Sequence, residues 1–284
     1  MIVTFLGTSA ANAYPEAFCS CKNCIQARML GGFSLRKRSA VLVNDDLIID
    51  LGPDIMTASQ IHGCSLTNVC YCLQTHPHAD HLDLSHLLSR SPEYGTIGTP
   101  VLNFYASAET LQKASDTFER DLAGYSLLSP NAEAWLNLKI HAIEPLRPFT
   151  LGNYRVIAFP ANHAPKMGAM LYSVECNGHA IFYGTDTATL FEETWQAFHQ
   201  FHLQFDLVIL DHTYGPAQHG SDHLSASQLI EHAQRMRNER LLKSNARVFA
   251  THISHEGNPA HPELAEFAAQ NGYEVAYDGL VLEN

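Results

Sequence analysis

One stretch limits the possible architectures of this chain more than any other: Thr75-His76-Pro77-His78-Ala79-Asp80-His81, directly after the apolar run from Asn68 to Leu73. It puts four metal-capable side chains within six residues, on what reads as the loop at the end of a buried strand. Imidazole nitrogens and carboxylate oxygens suit divalent zinc, manganese or iron. Donors aimed in different directions from one turn can serve two adjacent ions. A lone histidine there would read as an ordinary polar loop residue. Four donors at this spacing require a fold that brings distant ligands to the same strand end.

Further donors stand at the ends of other strand-like runs. The stretch 151–160 leads to Asn162-His163, the run 180–183 to Gly184-Thr185-Asp186, and the run 247–250 to Thr251-His252. The assembled set is His76, His78, Asp80, His81, His163, Asp186 and His252. Its order and separations resemble those of the metallo-β-lactamase-fold hydrolase superfamily, over nearly the whole chain. The resemblance implies an α/β fold, an αββα sandwich of two mixed β-sheets flanked by helices with the metal site along one edge. It also implies that His76, His78 and His163 hold one ion, that Asp80, His81 and His252 hold the second, and that Asp186 bridges them, with Asp80 counted among the catalytic residues too. A glutamate at position 78 would point to the di-iron, oxygen-using branch, whereas His78 points to hydrolysis.

The 284 residues suffice for one α/β domain spanning 1–284 with a large core. A formal charge of -12 argues against a broad nucleic-acid surface, which needs clustered Lys and Arg. No apolar run reaches membrane-spanning length, and residues 1–6 read as a strand and not a cleavable signal, so a soluble cytoplasmic protein is expected. Strands are expected at 2–6, 40–43, 47–49, 69–73, 101–105, 154–159, 170–175, 180–183, 207–210, 248–250 and 274–276. Helices are expected at 54–61, 81–89, 108–122, 189–203, 226–242 and 262–270. Asn177-Gly178 favours a tight hairpin, because both residues tolerate positive φ. Ser225 with Gln228 reads as a capping box. Residues 124–148 are expected to be a variable pocket-building loop.

A second cluster, Cys19-Ser20-Cys21-Lys22-Asn23-Cys24, places three thiols where one ion can gather them, within a Cys-rich zinc-binding loop at about 14–30. A tetrahedral zinc needs a fourth ligand, and His255, three residues beyond His252, is the candidate. A disulfide is the competing reading, which a reducing compartment disfavours. Cys64, Cys70, Cys72 and Cys176 read as small apolar residues. The thiol cluster with Thr251–His255 resembles the phosphoribosyl cyclic phosphate phosphodiesterase branch. The pyrroloquinoline-quinone biosynthesis B proteins share the knuckle. The full dinuclear set favours the phosphodiesterase-like branch, although the stretch Asp211-His212-Thr213-Tyr214 departs from its pattern.

These residues lead to the expectation of a dinuclear metal-dependent hydrolase with two divalent ions (zinc or manganese, or iron) and one structural zinc. Its substrate would be a small cyclic or nucleotide-like phosphodiester, attacked by a hydroxide shared between the ions. The alternatives are a transfer-RNA 3′-end nuclease, an ester, thioester or lactam hydrolase, or a cofactor-biosynthesis protein. His212 and His223 are the candidates to protonate the leaving oxygen, each equally readable as a polar or supporting histidine. Asp211 is a candidate to orient a ligand histidine. Lys166 could contact a substrate phosphate, or be simply exposed. Thr8 and Ser9 could line the pocket or form a strand-end turn. The histidines at 62, 86, 141, 179, 199, 202, 219, 232 and 261 belong to no constellation. A homodimer is only the base-rate expectation.

Overall fold

Ala40-Val41-Leu42-Val43 and Leu207-Val208-Ile209-Leu210 are apolar at every position, so neither face of either strand can be left to water. The computed structural model describes residues 1–123, 126–218 and 220–283, with only the backbone at 122 and 123. The chain runs β1 (Ile2–Gly7), α1 (Lys22–Leu30), β2 (Ala40–Val43), β3 (Leu47–Ile49), α2 (Ile55–His62), β4 (Tyr71–Leu73), α3 (Ser85–Ser89), β5 (Leu102–Ala106), α4 (Ala108–Phe118), α5 (Pro130–Leu136), β6 (Leu138–Ala142), β7 (Phe149–Leu151) and β8 (Tyr154–Pro160). It continues through β9 (Met170–Cys176), β10 (His179–Gly184), α6 (Glu192–Gln200), β11 (Phe205–Asp211), α7 (Ala226–Asn238), β12 (Leu242–Thr251), α8 (His261–Gln270), β13 (Glu274–Val275) and β14 (Val281–Glu283). Two seven-stranded mixed sheets result, ordered β14-β1-β2-β3-β4-β5-β6 and β13-β12-β11-β10-β9-β8-β7.

The pleat sorts each strand between two cores. Val41, Val43, Leu47 and Ile49 meet Ile181, Tyr183, Leu207 and Ile209 between the sheets. Leu42 and Ile48 turn outward onto Ile55, Leu87 and Leu111, while Phe182 and Leu210 turn outward onto Phe198 and Leu229. Helices therefore cover both outer faces, giving the expected αββα sandwich. Among the described residues no helix is long and apolar enough to cross a membrane.

The strand directions position the site. β3 and β4 run parallel, and so do β10, β11 and β12. β1 and β8 reach the same orientation as their sheet-mates through two antiparallel steps each. The C-terminal ends of all these strands thus open at one edge of the sandwich.

Asn177 and Gly178 both have positive φ (52° and 79°) in the β9–β10 hairpin, as expected. Ser225 accepts from the Gln228 amide while the Gln228 side chain accepts from the Ser225 amide, completing the capping box. Other boundaries moved. The helix expected at 81–89 is confined to Ser85–Ser89, because residues 78–82 form a turn in which the His81 amide donates to His78 O at 3.0 Å. The helix expected through 242 ends at Asn238, since Arg240 takes φ 59° and the chain enters β12. Five of these elements were not anticipated: α1, α5, β6, β7 and β14. α5 and β6 lie within the expected loop 124–148, whose Gly124 and Tyr125 lie outside the described residues. α5 begins on a Ser129 cap with Pro130 at its first position, a start signal legible in the sequence. The expected Cys-rich loop at about 14–30 is likewise largely the helix α1 from Lys22 onward. Of the other cysteines, Cys72 and Cys176 are buried as expected, and Cys64 and Cys70 are only half-buried.

Candidate metal centre

The edge of the sandwich gathers one polar residue from the end of nearly every strand that opens there. Asp50 follows β3, residues 75–81 follow β4, His163 follows β8, Asp186 follows β10, Asp211 ends β11 and His252 follows β12. Asp50, Asp186 and His252 all adopt left-handed backbone, with φ of 69°, 57° and 56°. This conformation costs a non-glycine residue about 1–2 kcal/mol and is concentrated at functional positions. Here it swings each side chain off its strand and into the edge.

The donor atoms converge at this edge. His76 Nε2 stands 2.8 Å from His78 Nδ1, and His163 Nε2 is 3.3 Å from the same atom. Asp186 Oδ2 lies 3.0 Å from His76 Nε2 and 3.2 Å from His81 Nε2, so one oxygen faces both groups of histidines. His81 Nε2 is 3.4 Å from His252 Nε2 and 3.2 Å from Asp80 Oδ2. Three four-donor groups share Asp186: His76, His78 and His163 with Asp186, Asp80, His81 and His252 with Asp186, and Asp211, His223 and His252 with Asp186.

Hydrogen bonds behind the donors set their tautomers. Thr75 Oγ1 donates to Asp50 and accepts from His76 Nδ1 at 3.0 Å. His81 Nδ1 donates to Asp50 Oδ2 at 2.7 Å. His252 Nδ1 donates to Thr213 Oγ1 at 2.7 Å, and Thr213 in turn donates to Asp211 Oδ2 at 3.1 Å. In all three histidines the proton is held at the back, which leaves the Nε2 lone pair facing the centre. Asp50 and Thr213 were missed by the sequence reading. Asp50 had a usable signal, a carboxylate just after an apolar strand, the same pattern that identified Asp186. Asp211 Oδ2 lies 3.1 Å from His223 Nδ1 and 3.4 Å from His252 Nδ1.

Divalent ions fit this donor set. Asp50, Asp80, Asp186 and Asp211 are buried together, yet among the described residues their ion pairs are to histidines and none is to a lysine or arginine. Asp186 Oδ1 is buried without a hydrogen-bond partner among the described residues, though the ring nitrogens of His223 and His163 stand 3.1 and 3.5 Å away. Unpaired carboxylate charge surrounded by imidazole lone pairs calls for cations. Without them the site compensates by protonation. Burial would hold His81 and His252 neutral, but the carboxylates beside them push both well above the ordinary histidine range. Burial keeps His76, His78 and His163 below that range.

Cys19, Cys21, Cys24 and His255 form a separate group in which all four donor atoms lie within 4.8 Å of one another. His255 Nδ1 is 3.8 Å from Cys19 Sγ and 3.6 Å from Cys21 Sγ. The amides of Cys21 and Cys24 donate to Cys19 Sγ and Cys21 Sγ, each at 3.4 Å. Burial opposes ionisation of Cys21, but the Cys24 amide and the contact with His255 outweigh it and bring the thiol down to about 6. Burial pushes Cys24 up to about 12. Such a donor set suits one tetrahedral zinc. Asn23 Nδ2 donates to His255 O at 2.8 Å, which ties the group to the loop after His252.

A cleft of about 260 Å³ opens over the centre, lined by Ala10 to Ala13, His78, Asp80, His163, Asp186, Thr213, His223, His252, Ser254 and Glu256. His223 belongs here. Its Nδ1 lies 3.1 Å from both Asp211 Oδ2 and Asp186 Oδ1, and its ring stacks on His252 with centroids 5.5 Å apart. Burial would lower its pKa, but Asp211 raises it above the ordinary value.

Four expected participants stand elsewhere. His212 is fully buried and absent from the cleft, with Nδ1 donating to Asn258 Oδ1 and Nε2 accepting from Tyr273 OH, both at 2.8 Å. Lys166 is exposed and lines a shallow groove with Glu109, Lys113 and Asp116. Thr8 and Ser9 are buried in strand-end hydrogen bonds, Thr8 Oγ1 to Asp278 and Ser9 Oγ to Ala10 O. The residues that follow them line the cleft in their place. Of the nine unassigned histidines, His86 and His232 are core residues, and His219 lies outside the described residues.

His212 is instead a structural histidine with an expected pH signature. Burial lowers its pKa to about 4, so the folded state resists a proton that the unfolded chain accepts near pH 6.5. The stability it contributes is complete above that pH and is lost as pH falls from about 6.5 to 4, by about 3 kcal/mol in all. The urea midpoint of His212→Asn should therefore fall less steeply than that of the parent protein over this window, and parallel slopes would refute the assignment.

Residues 46–253 match the family model described as beta-lactamase superfamily domain. No curated protein matches the chain. Among solved structures, the chain resembles a diphosphatase from the PhnP family (TM-score 0.73, 21% identity, 100% of this chain and 97% of that one). It also resembles the Zn(2+)-bound PqqB of Methylobacterium extorquens (TM-score 0.72, 18% identity, 100% of both chains). A third likeness is to the short form of human tRNase Z (TM-score 0.64, 19% identity, 100% of this chain and 99% of that one).

Proposed function

The chain belongs to the beta-lactamase superfamily and has its metallo-β-lactamase fold, and on that footing we propose that it is a metal-dependent hydrolase of small phosphodiesters. The observation that carries this reading is the pairing of two donor groups around Asp186 with His223 held against them, its Nδ1 3.1 Å from Asp186 Oδ1. His76, His78 and His163 would hold one divalent ion, Asp80, His81 and His252 the other, and Asp186 both. When bound, such a pair lowers the pKa of a shared water towards roughly 7 and neutralises charge building on phosphoryl oxygens.

The chain's own residues supply the rest. Asp50, Thr75 and Thr213 keep the ligand imidazoles in the binding tautomer. Asp211 holds His223 through Nδ1, leaving Nε2 to give its proton to the departing oxygen. This takes over the role considered for His212, whose two nitrogens are engaged away from the cleft.

The cleft lining also bears on substrate class. Apart from the metal donors and His223, its polar side chains are Asn12, Thr213, Ser254 and Glu256, with no lysine or arginine among the described lining residues. A polyanion such as RNA depends on such cations. A diphosphate would bring a second charge beside Glu256, whereas a phosphodiester brings a single charge that the ions themselves would offset. This favours the diester over both the nuclease reading and the diphosphatase activity named for one structural neighbour.

Metal analysis joined to diester hydrolysis tests the proposal. About three divalent ions per chain and cleavage of bis(p-nitrophenyl) phosphate are expected, whereas about one ion and no hydrolysis would overturn it. His223→Gln adds a second reading. Loss of a proton donor should slow diesters with alkyl leaving groups by about 10²-fold or more, while p-nitrophenyl esters, whose leaving group departs unaided, change little. Equal loss on both would remove His223 from the donor role.

A further inference from the structure

Among the described residues, six of the fifteen large apolar side chains left exposed fall in one short segment, residues 18–35: Phe18, Ile25, Met29, Leu30, Phe33 and Leu35. The helix α1 carries the middle of this segment and buries only Cys24 and Ala27. It is inverted relative to an ordinary surface helix, whose outer stripe is polar. Ile25, Met29 and Leu30 follow Lys22 and Gln26 at spacings of three and four, the spacing of one helix face, and these five line one open groove together with Glu263 of α8. Met29 is 82% exposed and Phe18 99%. Arg28 of α1 fastens the loop that bears Phe18, donating to Cys19 O at 2.8 Å, and Phe33 stacks on Tyr277 with ring centroids 3.9 Å apart. Both flanks of the exposed segment are therefore anchored.

Exposed apolar surface concentrated in this way marks a contact. With about 150–250 Å² for a large side chain, the six exposures leave roughly 700 Å² of apolar surface, close to the about 800 Å² that each partner gives to a standard interface. Charge indicates what covers it. Lys22 and Glu263 both border the groove, and neither has an ion-pair partner among the described residues. A two-fold contact sets one surface against its own copy, so Lys22 of one chain can meet Glu263 of the other and the pairing occurs twice. A lipid surface would accept the apolar side chains but leave Glu263 without a counter-charge. We propose that residues 18–35, with α1 at the centre and Glu263 at the rim, form the contact surface of a homodimer.

Analytical ultracentrifugation of the metal-loaded protein at micromolar concentration tests this, and about twice the chain mass of 31.4 kDa is expected. Met29→Lys, at a side chain that the single chain leaves in water, should keep the fold by circular dichroism and weaken the dimer by about tenfold or more. Ile97→Lys places the same charge on a side chain 93% exposed outside the segment and should leave the dimer intact. Lys22→Glu and Glu263→Lys should each weaken it, because like charges then face each other, and the two combined should restore it. A monomer under these conditions overturns the proposal, including one that sediments with phosphatidylcholine vesicles. So does a dimer that Met29→Lys and Ile97→Lys affect equally, or a double variant that associates no more tightly than either single one.

Discussion

Asp186→Ala should lower diester turnover by about 10³-fold or more and reduce the metal content of the purified protein, with the fold retained. The reasoning rests on one carboxylate that faces both donor groups, with Oδ2 3.0 Å from His76 Nε2 and 3.2 Å from His81 Nε2. Its removal takes a ligand from each ion at once, and the ions account for several kcal/mol of charge stabilisation, which converts to that range of rate. The backbone adds a correction. Asp186 has φ 57°, a region that aspartate and asparagine tolerate better than alanine. Asp186→Asn therefore separates the lost charge from the added strain: it should lose activity almost as completely as the alanine variant but unfold at a higher urea concentration. Metal analysis, turnover and circular dichroism on the two variants decide the matter. Undiminished turnover in either would end the dinuclear account.

Asp50→Ala is expected to combine a stability loss with a metal-binding loss, although Asp50 belongs to none of the four-donor groups. Its carboxylate is fully buried and accepts from Gln74 Nε2 at 2.9 Å, the Thr75 amide at 2.8 Å, Thr75 Oγ1 at 2.9 Å and His81 Nδ1 at 2.7 Å. Breaking a buried charged network from one side costs about 3–5 kcal/mol. Removing the partner that fixes a ligand histidine lowers metal affinity about 10- to 100-fold. Denaturant unfolding of the metal-free protein and metal titration of the folded protein read the two effects separately. Normal affinity in a destabilised variant would reduce Asp50 to a structural anchor.

The site was legible where its chemistry is local. Four donors between His76 and His81, and single donors just after apolar runs at His163, Asp186 and His252, announce themselves by residue type and position. The thiol cluster did the same, since three sulfurs in six residues have few other uses. Asp50 escaped because one carboxylate at a strand end is common and its partners are Gln74, Thr75 and His81 across a parallel strand pair. His212 and His223 looked alike in sequence, each a histidine beside the β11 end or its following loop. They part only in space, where Asn258 and Tyr273 capture one and Asp211 turns the other into the cleft.

The fold shows the same division. Strands such as β2 and β11 could be read from their apolar runs, and the β9–β10 hairpin and the start of α7 from turn and cap residues. The edge strand β6, with burial confined largely to Leu138, and the three-residue β7 and β14 carry too short a pattern to show period two. What the chain determined by itself was the inventory: buried strands, each ending in a residue able to hold a metal or a proton. Only the tertiary structure decided that these ends share one edge and which side of Asp186 each histidine faces. Residue type and periodicity act over a few positions, whereas convergence depends on parallel strand pairing and sheet packing between segments as far apart as Asp50 and His252.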